Sequence, residues 1–589
     1  MAGPEDKARV QIDRLLIAAG WVLQDMAEFN RNAGTGVAVR EYPLPSGPCD
    51  YLLFIGGKAA GVVEAKKSGT TLSGVTEQSE KYMGKLPDHL ARWADTLRFD
   101  YESTGEETIF RDMADPKPRS RTVFAFHRPE TLLGWLNDGE TLRARLTKLP
   151  PLDERGLRDC QVDAIHGLEG SLGEARPRSL IQMTMGAGKT FTACTFSYRL
   201  IKHAKAKRIL FLVDRNNLGE QTLNEFQQYR PPGDGRHFTD LYVTQHLKSR
   251  NIEKDASVVI TTIQRLFSVL RGEELEEEAE EFSAFETDAP ISDEPRPVEF
   301  NPDIPIESFD FIVTDECHRS IYGQWRQVLE YFDAFVIGLT ATPSKHTLGF
   351  FGQNLVAEYP YERSVADGVN VGYEVYRIRT RISEQGGTIE TGYQVPVRDR
   401  RTRKVKYQEL EDELEYAAQD LDRSVTTPNQ IRTILQAYRD SLFTELFPGR
   451  SWVPKTLIFA KDDNHAEEIV HIARDVFGEG NDFCKKITYR TTGDSPRDLI
   501  KAFRVDPNPR IAVTVDMIAT GTDIKPVEVV IFMRDVKSDL YFEQMKGRGV
   551  RSVTQADLKS VTPDADAKTR FVLIDAVGVT ESRKTASQP

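Results

Sequence analysis

Two series of short apolar runs constrain the fold of this 589-residue chain more than any other feature of its sequence. One series lies between about residues 158 and 350, the other between about 430 and 577. The runs are RILFLVD, SVVITT, FDFIVTDE and AFVIGLTAT in the first series, and TLIFAKD, RIAVTVD, VEVVIFM and RFVLIDAV in the second. Each series alternates with helix-compatible stretches, which is typical of a parallel sheet covered on both faces. The sequence therefore predicts two α/β domains in series.

The composition is that of an ordinary globular protein, with 39% hydrophobic and 28% charged residues, and it excludes disorder as the state of the whole chain. No stretch approaches the roughly 18 apolar residues of a membrane span, and the charged N-terminus is unlike a signal peptide. The five cysteines form no CxxC pair, which argues against a zinc ribbon or a disulfide framework. We therefore expect a cytoplasmic protein with reduced thiols and no membrane partner.

The formal net charge of −13 is concentrated in one segment. Residues 273–299 contain twelve acidic residues and one arginine, a net charge of −11, which leaves −2 for the rest of the chain. Low hydrophobicity and three prolines predict a solvated loop. The alternative interpretation of this acidic insert is that it mimics DNA or docks a basic partner. The overall charge is thus no argument against nucleic acid as a substrate.

The first chemical motif is MTMGAGKT, residues 183–190, between the apolar run SLIQ and the helix-compatible FTACTFSYRL. In a strand, loop and helix arrangement, Gly186 and Gly188 allow backbone N–H groups to approach phosphate, and the helix N-terminus favours an anion. Lys189 would pair with the β and γ phosphates, and the Thr190 hydroxyl would bind Mg²⁺. The full eight-residue pattern begins with glycine and this one with methionine, so a chance glycine turn is the alternative.

The second motif is FDFIVTDECH, residues 309–318, an apolar strand pattern that ends in two carboxylates. A parallel sheet places such residues at its carboxyl edge, beside the phosphate loop. There Asp315 can hold Mg²⁺ through water, and Glu316 can orient and deprotonate the attacking water. Alone, an Asp-Glu pair is more typical of a helix cap or a surface turn. Together with Lys189 it predicts ATP hydrolysis.

The third motif is YFEQMKGRGVR, residues 541–551. Its residues Gln544, Arg548 and Arg551 are spaced by four and three, so a helical turn would present all three on one face. An arginine there could neutralise charge that develops on the γ phosphate. A solvated basic helix is the alternative interpretation of this stretch.

Together these motifs resemble those of superfamily 2 helicases and translocases, over about residues 160–577. The matching segments, in the order of that superfamily, are Gln161, the loop from Thr184 to Thr190, VDRNNL at 213–218, TTIQRL at 261–266, DECH at 315–318, TAT at 340–342, TVDMIATGTDIK at 514–525 and QMKGRGVR at 544–551. The resemblance implies that nucleic acid crosses both domains and that Thr340 and Thr342 couple hydrolysis to movement. It also implies contacts to ATP from Gln161, Thr184, Gly521, Asp523 and Gln544.

The segment RDRRTRKVK, residues 398–406, has six basic residues in nine and lies between the motifs of the two domains. It is suited to a contact with the DNA backbone that does not depend on base sequence. A solvated hairpin is the equally good alternative. No helix-turn-helix or zinc-finger pattern appears, so we expect no base readout.

The N-terminal segment SGPCDYLLFIGGKAAGVVEAKKSG predicts two strands, about 50–55 and 59–66, joined by a hairpin loop. With a three-residue loop, Asp50 lies directly opposite Glu64, and Lys66 shares their face. A two-residue loop would place the two carboxylates on opposite faces. The alternative for Glu64 to Lys66 is an exposed helix, but the adjacent valines favour a strand.

These three residues suit metal-assisted cleavage of a phosphodiester: two carboxylates hold Mg²⁺, and the lysine positions or activates water. The segment resembles the PD-(D/E)xK nuclease core, with Asp50, Glu64 and Lys66 in place and cysteine where the family pattern has proline. Gln78 and Tyr82 resemble the Gln-xxx-Tyr element of the helicase-linked branch. By that resemblance they help to hold DNA or the metal site.

A nuclease fused ahead of such a motor resembles the restriction (R) subunit of type I restriction-modification enzymes. The implied architecture is a restriction-endonuclease-like α/β domain at 1–150, then RecA-like parallel-sheet domains at 151–350 and 351–589. The implied activity is ATP-driven translocation along double-stranded DNA with cleavage at a distance, as a type I site-specific deoxyribonuclease. The implied cofactors are ATP and Mg²⁺, and the implied partners are methylation (M) and specificity (S) subunits. Family members carry a further C-terminal helical region after the last strand found here, so we expect either a fragment or a chain that lacks that docking region.

Three other functions are open on sequence alone. A DNA-repair helicase-nuclease that acts by itself would separate the strands of a forked duplex. An RNA helicase with an inert N-terminal domain would be stimulated more by RNA than by duplex DNA. A scaffold with a relic motor is disfavoured, because Lys189, Glu316 and Arg551 are all present.

Overall fold

The computed structural model of the chain describes residues 4–581 apart from short gaps. The gaps are residues 68, 70–71, 73–82, 85, 276–297, 318–324, 379–386, 390–393, 399–404, 410–413, 417–426, 489–490, 492–494 and 516–523. Most of the acidic insert therefore lies outside the described residues. Two compact units are present, one of residues 1–183 and 187–359 and the other of residues 184–186 and 360–589. None of the described helices is both long enough and apolar enough to cross a membrane.

The N-terminal part of the first unit is built on a seven-stranded mixed sheet in the spatial order β1-β2-β3-β4-β5-β6-β7. The strands are β1 Val22–Gln24, β2 Gly36–Leu44, β3 Gly47–Ile55, β4 Lys58–Ala65, β5 Phe99–Ser103, β6 Thr108–Asp112 and β7 Arg121–Val123, and the helices are α1 Pro4–Ala18, α2 Pro129–Asn137 and α3 Leu142–Leu146. The central strands β3 and β4 are buried on both faces over most of their length. Helix α1 covers one face through Ile12 and Leu16, which lie four residues apart on one side of the helix.

The turn between β3 and β4 differs from the prediction. Ile55 pairs with Lys58, so the loop has two residues, Gly56 and Gly57, and not the predicted three. Both glycines have positive φ, of 56° and 74°, which glycine adopts far more readily than other residues. A two-residue turn of this kind matches the right-handed twist of the two strands that it joins.

The register at the other end of this hairpin is nevertheless the predicted one. A β-bulge opposite the step from Leu53 to Phe54 accommodates one extra residue of β4. Beyond the bulge Tyr51 pairs with Val63, and the same register continued by one residue sets Asp50 opposite Glu64. The expectation that a two-residue loop separates the two carboxylates was therefore wrong, because the bulge restores their alignment.

The second sheet of the first unit has seven strands, all parallel, in the spatial order β10-β11-β9-β12-β13-β8-β14. Every residue of the central strands β9, β12 and β13 is buried, as expected for strands covered on both faces. The strands are β8 Arg178–Met183, β9 Ile209–Val213, β10 Val243–His246, β11 Ala256–Thr262, β12 Phe311–Thr314, β13 Phe335–Thr340 and β14 Leu355–Tyr359. The helices are α4 Asp159–Gly173, α5 Lys189–Lys202, α6 Asn216–Gln228, α7 Phe238–Leu241, α8 Ile263–Arg271, α9 Arg326–Glu330 and α10 Lys345–Phe350.

The second unit contains a six-stranded parallel sheet in the spatial order β15-β24-β23-β20-β22-β21. The strands are β15 Gly372–Arg377, β20 Thr456–Phe459, β21 Cys484–Lys486, β22 Ile511–Thr514, β23 Val529–Phe532 and β24 Arg570–Asp575. The helices are α11 Tyr361–Ala366, α12 Pro428–Ser441, α13 Asp463–Phe477, α14 Pro496–Val505, α15 Asp539–Lys546 and α16 Gln555–Val561. The predicted fold class, an N-terminal α/β domain followed by two parallel-sheet α/β domains, is confirmed.

Two short antiparallel pairs accompany this sheet. Strand β16 (Gly387–Ile389) pairs with β19 (Leu414–Tyr416), and β17 (Gln394–Arg398) pairs with β18 (Val405–Glu409). The basic segment at 398–406 thus begins and continues in paired strands, with residues 399–404 outside the described part of the chain. Its contact with DNA stays a prediction.

Candidate functional site

The phosphate loop connects the end of β8 at Met183 to the start of α5 at Lys189. Gly186 and Gly188 have φ of 85° and 90°, a conformation that costs other residues free energy, and Gly188 is the N-cap of α5. The first N–H groups of a helix have no partner within the helix and attract an anion. The loop therefore presents backbone donors, the Lys189 ammonium and the Thr190 hydroxyl at one helix end, after the buried Thr184 at its start.

Gln161, in the first turn of α4, supports this loop from behind. Its side-chain Nε2 donates to the carbonyl oxygen of Ala187 at 3.1 Å, and its Oε1 accepts from the N–H of Arg158 at 3.0 Å. Only 4% of Gln161 is exposed. The residue predicted to contact ATP thus holds the loop backbone that is predicted to bind the phosphates.

The two carboxylates of the second motif follow β12 at the carboxyl edge of the sheet. Lys189 Nζ lies 3.2 Å from Glu316 Oε1, with the two side chains 12% and 17% exposed. Burial raises the pKa of Asp315, the Lys189 ammonium lowers it, and the neighbouring Glu316 carboxylate raises it. The structure therefore brings together the lysine and the two acids that the sequence assigns to ATP hydrolysis.

Strand β13 lies between β12 and β8, so its carboxyl end separates the acidic pair from the phosphate loop. Adjacent strands are about 4.8 Å apart, which puts β12 and β8 roughly 10 Å from each other. Thr340 ends β13 and is fully buried, and its Oγ1 accepts from the N–H of Thr342 at 3.2 Å. Both threonines predicted to couple hydrolysis to movement thus lie between the two halves of the candidate ATP site.

The backbone of Glu316 is in the left-handed region, with φ of 49°. Few residues other than glycine adopt this conformation, and glutamate has no side-chain geometry that favours it. Such strain is concentrated at functional sites. The side chain of this strained residue is the one that contacts Lys189.

The third motif is only partly helical, contrary to the prediction. Helix α15 ends at Lys546, and Arg548 and Arg551 lie beyond it, while Gln544 is in the helix and 3% exposed. Arg548 Nε donates to the carbonyl oxygen of Gln544 at 3.4 Å, and Arg551 forms an isolated antiparallel bridge with Asn370. Gly547 and Gly549 explain the difference, since glycine is a poor helix former. The single helical face that was predicted to carry all three side chains is therefore not formed.

Four predicted site residues lie outside the described residues: Gly521, Asp523, Gln78 and Tyr82. Their predicted contacts with the nucleotide, with DNA or with a metal ion stay predictions.

The candidate nuclease residues lie together, with Asp50 on β3, Glu64 on β4 and Lys66 directly after β4. Asp50 Oδ2 accepts from the N–H of Ala65 at 2.8 Å, which fixes this carboxylate beside the end of β4. Lys66 Nζ lies 3.3 Å from Glu64 Oε1. The side chains of Asp50, Glu64 and Lys66 are 13–14% exposed. The hairpin thus assembles two carboxylates and a lysine in a largely desolvated position.

The electrostatics of this site favour a cation. Burial raises the pKa of Glu64, and so does the nearby charge of Asp50, while Lys66 lowers it. Burial is the larger cause of this rise and repulsion from Asp50 the smaller one, and a cation between the two carboxylates would offset both. Mg²⁺ is commonly held by one or two carboxylates, with water and substrate phosphate as its other ligands. The pair Asp50 and Glu64 therefore fits that ion, whereas the predicted binding of Mg²⁺ by Thr190 and Asp315 stays a prediction.

Two further residues at this site were missed by the sequence reasoning. The guanidinium of Arg9, on α1, forms an ion pair with Asp50 Oδ1 and another with Glu41. Glu102 on β5 is 4% exposed and directly beside Glu64 in the parallel register. The two acids Asp100 and Glu102 within the buried strand FDYES were a usable signal, whereas nothing local marks Arg9.

Three family models match the chain. Residues 154–345 match the model described as type III restriction enzyme, res subunit, and residues 438–553 match the helicase conserved C-terminal domain. Residues 26–107 match the second domain of the type I restriction enzyme EcoKI endonuclease subunit. The matches fall on all three sheets described above.

The endonuclease subunit of the type I restriction enzyme EcoKI from Escherichia coli K12 is 29% identical, over 98% of this chain and 52% of that protein. The EcoAI endonuclease subunit from Escherichia coli is 27% identical, over 84% of this chain and 58% of that protein. A fragment structure assigned to the HsdR subunit of a type I restriction enzyme from Vibrio vulnificus is 20% identical with a TM-score of 0.49, over 98% of this chain and 93% of the fragment. This chain spans about half the length of the curated relatives it matches. Over nearly all of its length this chain is therefore similar to type I restriction enzyme endonuclease subunits, with helicase-type matches behind an N-terminal α/β domain.

Proposed function

We propose that this chain is the restriction subunit of a type I restriction-modification complex, an ATP-dependent translocase of duplex DNA with a Mg²⁺-dependent endonuclease. The observation that carries the proposal is the 3.2 Å contact of Lys189 with Glu316 at the edge of the sheet where the phosphate loop begins. The same unit carries Asp50, Glu64 and Lys66, the residue types of a phosphodiester-cleaving site. A motor and a nuclease on one chain match the kind of protein to which its relatives belong.

ATP hydrolysis follows from an exchange of partners at Lys189. In the structure the Lys189 ammonium is paired with Glu316. An arriving triphosphate offers the ammonium more negative charge, so Lys189 moves to the phosphates and Glu316 accepts a proton from the attacking water. Thr190 and Asp315 would hold Mg²⁺, which would neutralise charge on the phosphate oxygens. We assign Arg548 and Arg551 as further cations for the triphosphate, as the motif order implies.

DNA cleavage is assigned to the hairpin of β3 and β4. Lys66 lies against Glu64, where its ammonium can orient a water molecule toward a phosphate on the same face. Asp50 and Glu64 would hold Mg²⁺, which would supply positive charge to polarise the phosphate. The Arg9 guanidinium is paired with Asp50 Oδ1 and competes with a metal ion for this carboxylate, so metal binding should weaken the ion pair.

Two substitutions in the full chain test the two activities separately. Lys189→Ala should reduce ATP turnover by on the order of 100-fold, because the triphosphate loses its main cation, and it should abolish ATP-dependent cleavage. Lys66→Ala should abolish cleavage and leave ATP turnover unchanged. The matched controls are Lys202→Ala, at the exposed far end of the same helix as Lys189, and Lys67→Ala, the exposed neighbour of Lys66. All four variants are assayed with duplex DNA, ATP and Mg²⁺, with and without M and S subunits.

Other outcomes support the competing functions. Cleavage and strand separation of a forked duplex without M and S subunits would favour a repair helicase-nuclease. Stronger stimulation of ATP turnover by RNA than by duplex DNA would favour an RNA helicase. Retention of cleavage in Lys66→Ala would remove the assignment of the nuclease to this hairpin.

A further inference from the structure

Two buried carboxylates of the first parallel sheet bind groups from the N-terminal part of the same unit. Glu307 lies four residues before β12, and Asp333 lies two residues before β13. Their side chains are 5% and 7% exposed. Both residues therefore lie at the amino ends of strands whose carboxyl ends carry the candidate ATP-site residues.

Asp333 is surrounded by donors from β7 and from the segment before α2. Arg121 binds it with two parallel hydrogen bonds, from Nε to Oδ1 at 2.6 Å and from Nη2 to Oδ2 at 2.8 Å. His127, fully buried, lies 2.9 Å away through Nε2, and its Nδ1 lies 2.7 Å from the hydroxyl of Tyr101. Burial alone would raise the pKa of Asp333, but Arg121 and His127 hold it well below its usual value. The carboxylate is thus ionised and fully engaged by the N-terminal domain.

Glu307 repeats this arrangement at the neighbouring strand. Its Oε1 accepts from Arg128 Nε at 3.0 Å, from the N–H of Arg128 at 3.2 Å and from Thr131 Oγ1 at 2.8 Å. Arg128 caps α2 and Thr131 lies in its first turn. The amino end of α2 is therefore tied to the amino end of β12.

Aromatic packing fills the space beside the ion pairs. The rings of Phe124 and Tyr331 are 4.8 Å apart, and a single buried apolar cluster contains Phe126 and Leu132 from one side with Tyr331 and Phe332 from the other. Domain interfaces within a chain are mobile unless they are large and apolar. The interface around Asp333 and Glu307 combines a shared apolar core with buried charges. Separating the two surfaces would leave these buried charges without partners, at a high cost in free energy. This interface, called the joint below, should therefore stay closed in the folded chain.

We propose that the surface around Asp333 and Glu307 is a docking surface that fixes the nuclease domain to the two strands carrying the ATP-site residues, and that DNA cleavage depends on it while ATP hydrolysis does not. The inference rests on the proposed function for its second half. Seven residues of extended chain, about 23 Å, separate Asp333 from Thr340. A stiff strand of this length keeps the nuclease hairpin at a fixed place relative to the motor. A displacement of about 1 Å at a reacting group can cost on the order of 100-fold in rate, so a loose joint should impair cleavage most.

The docking itself is tested by hydrogen exchange on the full chain alone. Asp333→Asn keeps the side-chain volume and removes the charge that Arg121 binds. We expect amide exchange in β7 and at residues 331–333 to become at least tenfold faster, with β12 unchanged. Glu330→Gln is the matched control: it removes a carboxylate three residues away that pairs with Arg178 and Arg326 at the surface, and it should change neither region. Unchanged exchange in Asp333→Asn, or equal loosening of β12, would overturn the docking assignment.

The functional half is tested by counting cleavage events per ATP hydrolysed in the complex with M and S subunits. We expect Asp333→Asn to lower this ratio at least tenfold, with ATP turnover within twofold of the unsubstituted chain. A ratio equal to that of Glu330→Gln would overturn the dependence of cleavage on the joint. If the unsubstituted complex does not cleave DNA at all, the proposed function fails, while the exchange result still decides whether the surface docks the domain.

A second variant covers the case in which Asp333→Asn does not fold. Arg128→Ala with Thr131→Val removes the side-chain donors to Glu307 at the edge of the joint, where Arg128 is 44% exposed. It should show faster exchange at the start of α2 and a two- to fivefold lower cleavage ratio. If this variant matches the unsubstituted chain in both measurements, the docking surface is not what couples the two domains.

Discussion

Gly188→Ala should disable the phosphate loop through a collision that the structure specifies. A Cβ at this position would lie 2.4 Å from Nε2 of Gln161, the atom that binds the carbonyl oxygen of Ala187. The φ of 90° is in addition a conformation that an alanine adopts only at a cost of about 1–2 kcal/mol. Displacing Gln161 loses a hydrogen bond worth about 1 kcal/mol. The total of about 2–3 kcal/mol corresponds to roughly 30- to 160-fold in a binding constant.

The free energy lost is shared between folding and ATP binding, so both are measured. Calorimetric titration with a non-hydrolysable ATP analogue gives the loss in binding free energy, and urea unfolding gives the loss in the free energy of unfolding. Their sum should reach about 2–3 kcal/mol. Gly170→Ala is the control, because Gly170 lies on the same helix as Gln161 and an added Cβ there meets nothing within 4 Å. It should leave binding unchanged and raise stability by at most about 1 kcal/mol.

A double substitution tests the physical reason. Since Gly188→Ala already breaks the bond from Gln161, adding Gln161→Ala should cost almost nothing more, although Gln161→Ala alone costs about 1 kcal/mol. Additive losses in the double variant would mean that the two residues act separately. Analogue binding within twofold and stability within about 0.5 kcal/mol of the unsubstituted chain for Gly188→Ala would refute the reasoning altogether.

Three further predictions concern charges. Glu316→Gln removes a carboxylate that raises the pKa of Asp315, so the acid limit of Mg²⁺–ATP binding should move to lower pH in titrations across a pH series; a shift to higher pH would contradict this assignment. Arg9→Met frees Asp50 from a partly exposed ion pair and should tighten Mg²⁺ binding two- to fivefold by calorimetry, the scale of such pairs; weaker binding would mean that Arg9 supports the site. Burial lowers the pKa of Lys455 to about 6 in the folded chain. Above that pH this lysine is therefore protonated to a greater extent in the unfolded chain than in the folded one. The free energy of unfolding should therefore rise with pH from about 6 toward the ordinary pKa of lysine, by at most about 1.4 kcal/mol per pH unit. In urea unfolding, Lys455→Met should flatten this slope. An unchanged slope would exclude Lys455 as its source.

The parts of the fold that depend on local sequence were predictable. Strand β9 is five consecutive buried residues with helices on both sides along the chain, a pattern with few other solutions. The phosphate loop is also local, since two glycines of positive φ and a following helix lie within eight residues. The acidic pair after β12 could be placed beside it only because parallel strands share one carboxyl edge.

Errors arose where one residue of chain changes the geometry. At the nuclease hairpin the sequence gives two glycines and a lysine as turn candidates, and neither propensity nor pattern shows that a bulge near Leu53 follows a two-residue turn. At the third motif the spacing of Gln544, Arg548 and Arg551 suggested a helix, but two glycines end it at Lys546. In both cases a backbone feature outweighs side-chain periodicity.

Partners distant in the chain were not predictable at all. Arg9 lies 41 residues from Asp50, and Arg121 lies 212 residues from Asp333. An arginine on a helix face or on a short strand looks in sequence like any solvated charge, because its partner is chosen by the packing of whole sheets. The candidate ATP site was therefore predictable in outline, and the joint between the domains only from the structure.

The strained, left-handed backbone at Glu316 implies a trade-off between thermal stability and the proposed ATPase activity. Glycine or asparagine at this position would adopt the left-handed conformation with less strain and so raise the thermal stability of the protein. Replacing a strained functional residue commonly has this effect. By the proposed mechanism, such a variant would lack the base that accepts a proton from the attacking water. Directed evolution for thermal stability, without selection for ATP turnover, should therefore enrich substitutions at residue 316. The resulting variants should be more stable but unable to hydrolyse ATP.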